Sequence, residues 1–251
     1  MNVPSPVFSR GGAPKRYENS ITILLSFLLF FSPGVAQAQF TYTTNAGGST
    51  ITITGGPGGA VNIPSSIDGL VVTSIGDGAF VMYDGIFYYP NVSLTSVTIP
   101  GTVTNIGDAA FYDCTVLTEV ALSNGVMQIG KAAFSADYAL TSITIPVSVT
   151  NIGEDAFENC TSLASIAIPA SVLNIGEDAF QNCTNLASVS IPASVLSIGN
   201  GAFENCTSLT NAVMSAGVTS IGNDAFAGCT NLATVAIPGT VTNIGGGTFE
   251  S

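Results

Sequence analysis

The sequence predicts an elongated solenoid built from 23-residue repeats, mostly β with short helical or 3-10 turns. Three observations carry that expectation. Leucine recurs at Leu94, Leu117, Leu140, Leu163, Leu186, Leu209 and Leu232, and phenylalanine at Phe111, Phe134, Phe157, Phe180, Phe203, Phe226 and Phe249. Between those columns the same prolines and glycines return in step. A fixed period of this length means supersecondary units that bury a shared core only by lying against their neighbours.

The N-terminus reads as a leader. Arg10, Lys15 and Arg16 precede an apolar run from Ile21 to Phe31, followed by Ser32-Pro33-Gly34 and the small residues Ala36-Gln37-Ala38. Residues 1–38 are therefore expected to be a secretory signal peptide cut after Ala38, with retention as an N-terminal anchor as the alternative. The run is short of the roughly 20 apolar residues a membrane helix needs, so no membrane span is expected after cleavage. Cleavage would remove three of the four basic residues and one of the 16 acids. The remainder, with Lys131 as its one cation and no histidine, repels nucleic acid and has no neutral-pH proton shuttle. Nucleic-acid binding is excluded on that ground.

Residues 39–62 alternate threonine with isoleucine around glycine clusters, as in Thr50-Ile51-Thr52-Ile53-Thr54. That pattern predicts a short hairpin or strand pair serving as an N-terminal β cap. The solenoid is assigned to residues 63–251. Its first unit is degenerate: 11 positions separate Pro64 from Ile75, where six separate Pro100 from Ile106, so the extra text around Ile67-Asp68-Gly69-Leu70 should be an edge loop. A second insertion, residues 81–93, carries Met82, Tyr83, Phe87, Tyr88 and Tyr89. The last unit stops at Ser251, a few residues short, and would expose Val235, Ile237, Ile244 and Phe249 as a surface for self-association.

Within a unit, the spacing LxxVxI points Val97 and Ile99 inward from a strand, with Thr95, Ser96 and Thr98 outward. Pro100 and its equivalents Pro146, Pro169, Pro192 and Pro238 end that strand, because proline cannot continue a hydrogen-bonded ladder. Val103 and Ile106 form a second inward pair. The glycines at 107, 130, 153, 176, 199, 222 and 245 are expected to turn a corner at a dihedral that glycine adopts most cheaply. A short helical turn should follow, with Asp108, Glu154, Asp155, Glu177, Asp178 and Asp224 near its N-terminus and Phe157 and its equivalents in the core.

The pattern LxxVxIPxxVxxIGxxAFxxC, which recurs almost unchanged in residues 145–163, 168–186 and 191–209, resembles the BspA-like class of leucine-rich repeats over residues 63–251. The resemblance implies a right-handed curved β/α superhelix on a secreted or surface-exposed bacterial protein, commonly one engaged in adhesion and protein binding. It implies neither catalysis nor a particular ligand.

Several residue columns admit a chemical role beside a plain structural one. Cys114, Cys160, Cys183, Cys206 and Cys229 share one column, with Asp137 in the missing place. Adjacent coils bring such thiols toward disulfide range, yet the odd count and the absence of CxxC or Cys/His spacing favour buried free thiols. Glu154, Asp155, Glu177 and Asp178 suit a solvated turn, with Ca²⁺ binding as the alternative. The Asn-Cys-Thr triplets at 159, 182 and 205 follow from the cysteine column. No nucleophile with a base is visible and nothing pairs two acids across a cleft, so no enzyme, cofactor or metal site is assigned, with a two-carboxylate, glycan-degrading site as the alternative.

Two surfaces remain as candidate binding sites for a protein or glycan. One is the outward strand face, with Thr95, Ser96 and Thr98, then Thr118, then Thr141, Ser142 and Thr144, continued by the Ala and Ser of later coils. Its hydroxyl rows also admit ice binding. The other is the aromatic insertion, Tyr83, Phe87, Tyr88 and Tyr89, because exposed aromatic rings contribute disproportionately to binding. The sequence thus points to a secreted or cell-surface binding or adhesion module, with a spacer within a longer surface protein as the alternative.

Overall fold

The computed structural model describes residues 40–83 and 88–250. The chain opens with β1 (Thr41–Thr44), β2 (Thr50–Gly55), β3 (Gly59–Asn62), β4 (Ser66–Ile67) and β5 (Leu70–Ile75). The second insertion contains β6 (Met82–Tyr83) and β7 (Tyr88–Tyr89). Longer and shorter strands follow: β8 (Leu94–Ile99), β9 (Asn105–Ile106), β10 (Glu119–Leu122), β11 (Gln128–Ile129), β12 (Ser142–Thr144) and β13 (Asn151–Ile152). The remainder are β14 (Asn174–Ile175), β15 (Ser188–Ile191), β16 (Ser197–Ile198), β17 (Asn211–Met214), β18 (Ser220–Ile221), β19 (Thr234–Ala236) and β20 (Asn243–Ile244).

One sheet runs in the order β1-β2-β5-β9-β11-β13-β14-β16-β18-β20, and from β9 onward it consists of two-residue strands that pair in parallel, one coil on the next. The long strands form two shorter sheets, β12-β10-β8-β3 and β15-β17-β19. At the start, β1 lies antiparallel to β2, whereas β2 joins β5 and β3 joins β8 in parallel. Residues 41–62 thus add two strands to the first sheet and one to the β12-β10-β8-β3 sheet. The text around Asp68 is not a loop: Ile67 pairs with Leu70 in an antiparallel hairpin whose tip residues, Asp68 and Gly69, have φ of 54° and 81°. Aspartate and glycine both tolerate that left-handed region.

Between the sheets runs a column of phenylalanines. Their rings stack nearly parallel, with centroids 4.8 Å apart at Phe80–Phe111 and 5.7 Å at Phe226–Phe249. Isolated aromatic pairs prefer offset or edge-on packing; here the coil spacing, set by strand pairing at about 4.8 Å, dictates the stack. The leucine, valine and isoleucine columns fill the space around it and are buried throughout the middle coils. In the last coil Ile237, Ile244 and Phe249 are 41%, 49% and 41% exposed.

Three local expectations need correction. Among the described residues there is no helix: the segment after each glycine is a run of turns. Its continuation into a helix is interrupted by residues with positive φ, including Ala132, Asp155, Asp178 and Asp224 at 51° to 55°. Asp155, Asp178 and Asp224 therefore sit in left-handed turn positions, and none of the acids stands at a helix start. Second, the glycines at 107, 130, 153, 176, 199, 222 and 245 are not among the residues with positive φ. They are required by close approach: a Cβ on Gly176 would lie 2.5 Å from the carbonyl carbon of Gly153, one coil away. Third, residues 163–168 form no strand, although the spacing LASIAI matches the pattern of its neighbours. The long-strand face is therefore broken between β12 and β15.

Candidate functional site

The two sheets leave one long-strand face to solvent, and register decides which hydroxyls share a row. Ser96, Glu119 and Ser142 lie side by side, and so do Asn62, Thr98, Ala121 and Thr144. The strands thus gather Ser96, Thr98, Ser142 and Thr144 into one patch. A third row, Thr95, Thr118 and Thr141, has a different use. Thr118 Oγ1 donates to the carbonyl of Thr95 at 3.1 Å, and Thr141 Oγ1 to that of Thr118 at 3.2 Å. These hydroxyls clip one coil to the previous one. Their donors are committed to the fold, whereas among the described residues Ser96, Thr98, Ser142 and Thr144 make no side-chain hydrogen bond. Spacing alone does not reveal that division, because all three rows share one period.

The aromatic insertion forms a small antiparallel ladder, Met82 opposite Tyr89 and Tyr83 opposite Tyr88. Met82 and Tyr89 are about half exposed. Phe87 and the side chains of Tyr83 and Tyr88 lie outside the described residues, as does the expected leader, residues 1–38. What fixes the base of this ladder is Asn91, which is 5% exposed. Its Nδ2 donates to the carbonyl of Phe80 at 2.8 Å. Its Oδ1 accepts from the main-chain N–H groups of Ser93 and Leu94 and from Ser93 Oγ, at 2.9 to 3.0 Å. One amide thus ties both ends of the insertion together at the residue where β8 begins, so the hairpin and the strand patch share a fixed edge. Sequence reading missed Asn91. The signal was the Asn-Val-Ser triplet, since asparagine followed two residues on by serine favours this side-chain turn.

The turn side of the solenoid carries the acids. Lys131 Nζ contacts Glu154 and stands 3.6 Å from Asp155 Oδ2. Partial burial and the neighbouring Asp155, Glu177 and Glu204 push the Asp178 carboxyl up to about 6. Gln181 relieves some of this repulsion, its Nε2 donating to Asp178 Oδ1 at 3.0 Å and Glu204 Oε2 at 2.8 Å. Among the described residues no three acids, histidines or cysteines converge as metal ligands.

The cysteines are buried and unpaired. Cys160, Cys183 and Cys206 each donate through Sγ to the carbonyl of a phenylalanine 26 residues earlier, at 3.2 Å. Burial pushes the Cys114, Cys160 and Cys183 thiols up, which keeps them protonated and unreactive. Asp137, in the same column, is fully buried. Its Oδ1 accepts the N–H of Cys114 at 2.8 Å, while Oδ2 has no partner. Burial first, and Asp113 in addition, push its carboxyl well above the ordinary range, with the Cys114 N–H opposing. A concavity of about 350 Å³ lies at the last coil, between Phe226, Cys229, Leu232, Val235, Ile237 and Phe249. No helix among the described residues is long and apolar enough to cross a membrane.

A parallel solenoid with leucine, phenylalanine and glycine columns at a 23-residue step is the architecture of a leucine-rich repeat protein. The family model for the BspA type leucine rich repeat region matches residues 80–206 and 128–251, in six copies, and the chain belongs to that family. Among solved structures it is similar to the leucine rich repeat protein of T. pallidum, at 33% identity and a TM-score of 0.59, covering 82% of this chain and 83% of that one. It is also similar to a leucine rich cell surface protein from Faecalibacterium prausnitzii, at 29% identity and a TM-score of 0.54, covering 87% and 75%. The pneumococcal vaccine antigen PcpA shares the fold, at 18% identity and a TM-score of 0.55 over 84% of this chain and 76% of that one. Among curated proteins none matches.

Proposed function

We propose that this chain is a non-catalytic binding or adhesion module of a secreted or cell-surface bacterial protein, recognising a protein or glycan through its long-strand face. The observation that carries this is the division of labour on that face. One threonine row is spent holding coils together, while Ser96, Thr98, Ser142 and Thr144 present hydroxyls with no side-chain partner among the described residues, on the two strands that flank β10. Apart from the Glu119 carboxylate, which stands between Ser96 and Ser142, the patch offers neutral hydroxyl donors and acceptors to a hydroxylated or amide-rich ligand. Beside it stands a hairpin bearing Met82 and Tyr89, held by Asn91, and exposed aromatic and thioether groups on a fixed base are favoured anchors. The surface location is supported by the expected leader and by the family's cell-surface member in F. prausnitzii.

The test is a binding screen of the secreted chain against arrays of extracellular proteins and glycans. The hits are then repeated with two variants, T98K/T144K and Y83A/Y88A/Y89A. Loss of affinity by at least about tenfold in either variant is expected, the equivalent of one anchor side chain. Absence of any binding, or hits indifferent to both variants, would sink the proposal.

A further inference from the structure

We infer that residues 163–168 are a flexing point that divides the long-strand face into two plates, hinged on the continuous short-strand sheet and phenylalanine stack. The inference concerns the fold and stands whether or not the face binds a ligand.

The back of the solenoid is unbroken across this coil. β13, β14 and β16 pair in sequence, and the Phe134–Phe157 and Phe157–Phe180 rings stay 5.4 Å and 5.3 Å apart. The front is different. At the first outward position of each coil, the main-chain N–H donates to the carbonyl one coil back. That distance is 2.9 Å at Thr118, 3.3 Å at Thr141, 3.4 Å at Ala164, 3.2 Å at Ala187 and 3.0 Å at Thr210. The bond is longest where the strand is missing. Beyond Ala164 the inter-coil ladder lapses until Leu173 N–H reaches the carbonyl of Thr150 at 3.0 Å. The inward side chains stay buried: Ile166 and Ile168 are each 8% exposed, against 9% for Leu122 in the paired strand β10, so the gap lies in the main chain and not in the core.

The cause lies in the missing threonine clips. Threonine at the first outward position adds a side-chain clip to the previous coil, as at Thr118, Thr141 and Thr210. Ala164 and Ala187 have no hydroxyl, so the clip is missing on both sides of this coil. Its outward set is Ala164, Ser165 and Ala167, without a β-branched residue. The set of coil 186–191, Ala187, Ser188 and Ser190, lacks one as well, but that coil keeps the Thr210 clip on its far side and forms β15, so the loss of both clips is what sets coil 163–168 apart. Alanine and serine fit a pleated, half-buried surface poorly, and a ladder lacking both propensity and clips opens at little cost. Because the back remains bonded, opening here changes the separation of the rows at Ser142 and Ser188 and leaves the core columns in place.

Hydrogen exchange on the full-length chain tests this directly. Amides of residues 165–168 should exchange at least about tenfold faster than those of Ser188–Ile191, in a coil of the same length and burial. The variant A164T/A167T, which supplies the clip and a β-branched outward residue, should bring the slow exchange of the later coil to residues 165–168. Equal protection of the two native segments would overturn the inference without any variant. So would a folded A164T/A167T chain whose residues 165–168 exchange as fast as before.

Discussion

Replacing Asp137 by cysteine should stabilise the protein. Asp137 is fully buried in a column otherwise occupied by Cys114, Cys160, Cys183, Cys206 and Cys229, and its Oδ2 has no partner. A buried polar atom left unmet costs about 1–3 kcal/mol. In Asp137→Cys the thiol would donate to the carbonyl of Phe111, as Cys160 does to that of Phe134 at 3.2 Å. The N–H of Cys114 would lose Asp137 Oδ1 but keep the carbonyl of Phe111, at 3.3 Å. The gain is then about 1–3 kcal/mol, or a rise in Tm of about 2–12 °C for a domain of this size.

The dependence on pH gives a second handle. The folded-state pKa of Asp137 is raised. Its contribution to stability is therefore complete below the ordinary carboxylate value and is lost as pH rises through the raised one. The advantage of Asp137→Cys over the native chain should consequently grow as pH rises above about 4. Asp137→Asn separates the two effects: it abolishes the titration but keeps a polar atom without a partner. It should flatten the pH dependence and recover less of the stability at low pH than cysteine does. Thermal unfolding of the three chains from pH 4 to 8 measures both. An Asp137→Cys chain less stable than the native one at pH 7, or a stability difference that does not change with pH, would refute the reasoning.

Two further outcomes follow from the same structure. Asp178, pushed up to about 6 by partial burial and its acidic neighbours, contributes stability below its ordinary value that is lost as pH rises through about 6. Asp178→Asn should therefore raise Tm at pH 7.5 and leave it nearly unchanged at pH 4; because the site is partly exposed, the gain should stay within about 1 kcal/mol. Thermal melts at the two pH values check this, and an equal gain at both would contradict it. Asn91→Ala leaves the carbonyl of Phe80 and the N–H of Leu94 without the partners that hold the insertion, at a cost of about 1–3 kcal/mol. Chemical unfolding should show that loss, and hydrogen exchange should speed up at Met82–Tyr83 and Tyr88–Tyr89 while the later coils are unaffected.

The sequence by itself determined the repeat, its 23-residue step and the residues that face inward, because a solenoid stacks each residue on its equivalent one period away. Leucine, phenylalanine and cysteine columns in the text become buried columns in the protein, and the family follows from them. The position of Pro100 likewise marks the end of β8 at Ile99. What periodicity does not encode is how closely neighbouring coils approach and which hydrogen bonds result. The glycine column looked like a dihedral requirement and proved to be a contact requirement, since a Cβ on Gly176 would strike the main chain of Gly153. The left-handed turns fall instead on Asp155, Asp178 and their equivalents. On the candidate binding face, Thr118 and Ser142 look alike in sequence; only the stacked coils show that Thr118 spends its hydroxyl on a carbonyl and that Ser142 does not. The break at residues 163–168 is also a tertiary outcome. The apolar pattern there is intact, and the strand fails because pairing depends on outward residues and clips that the inward pattern does not specify.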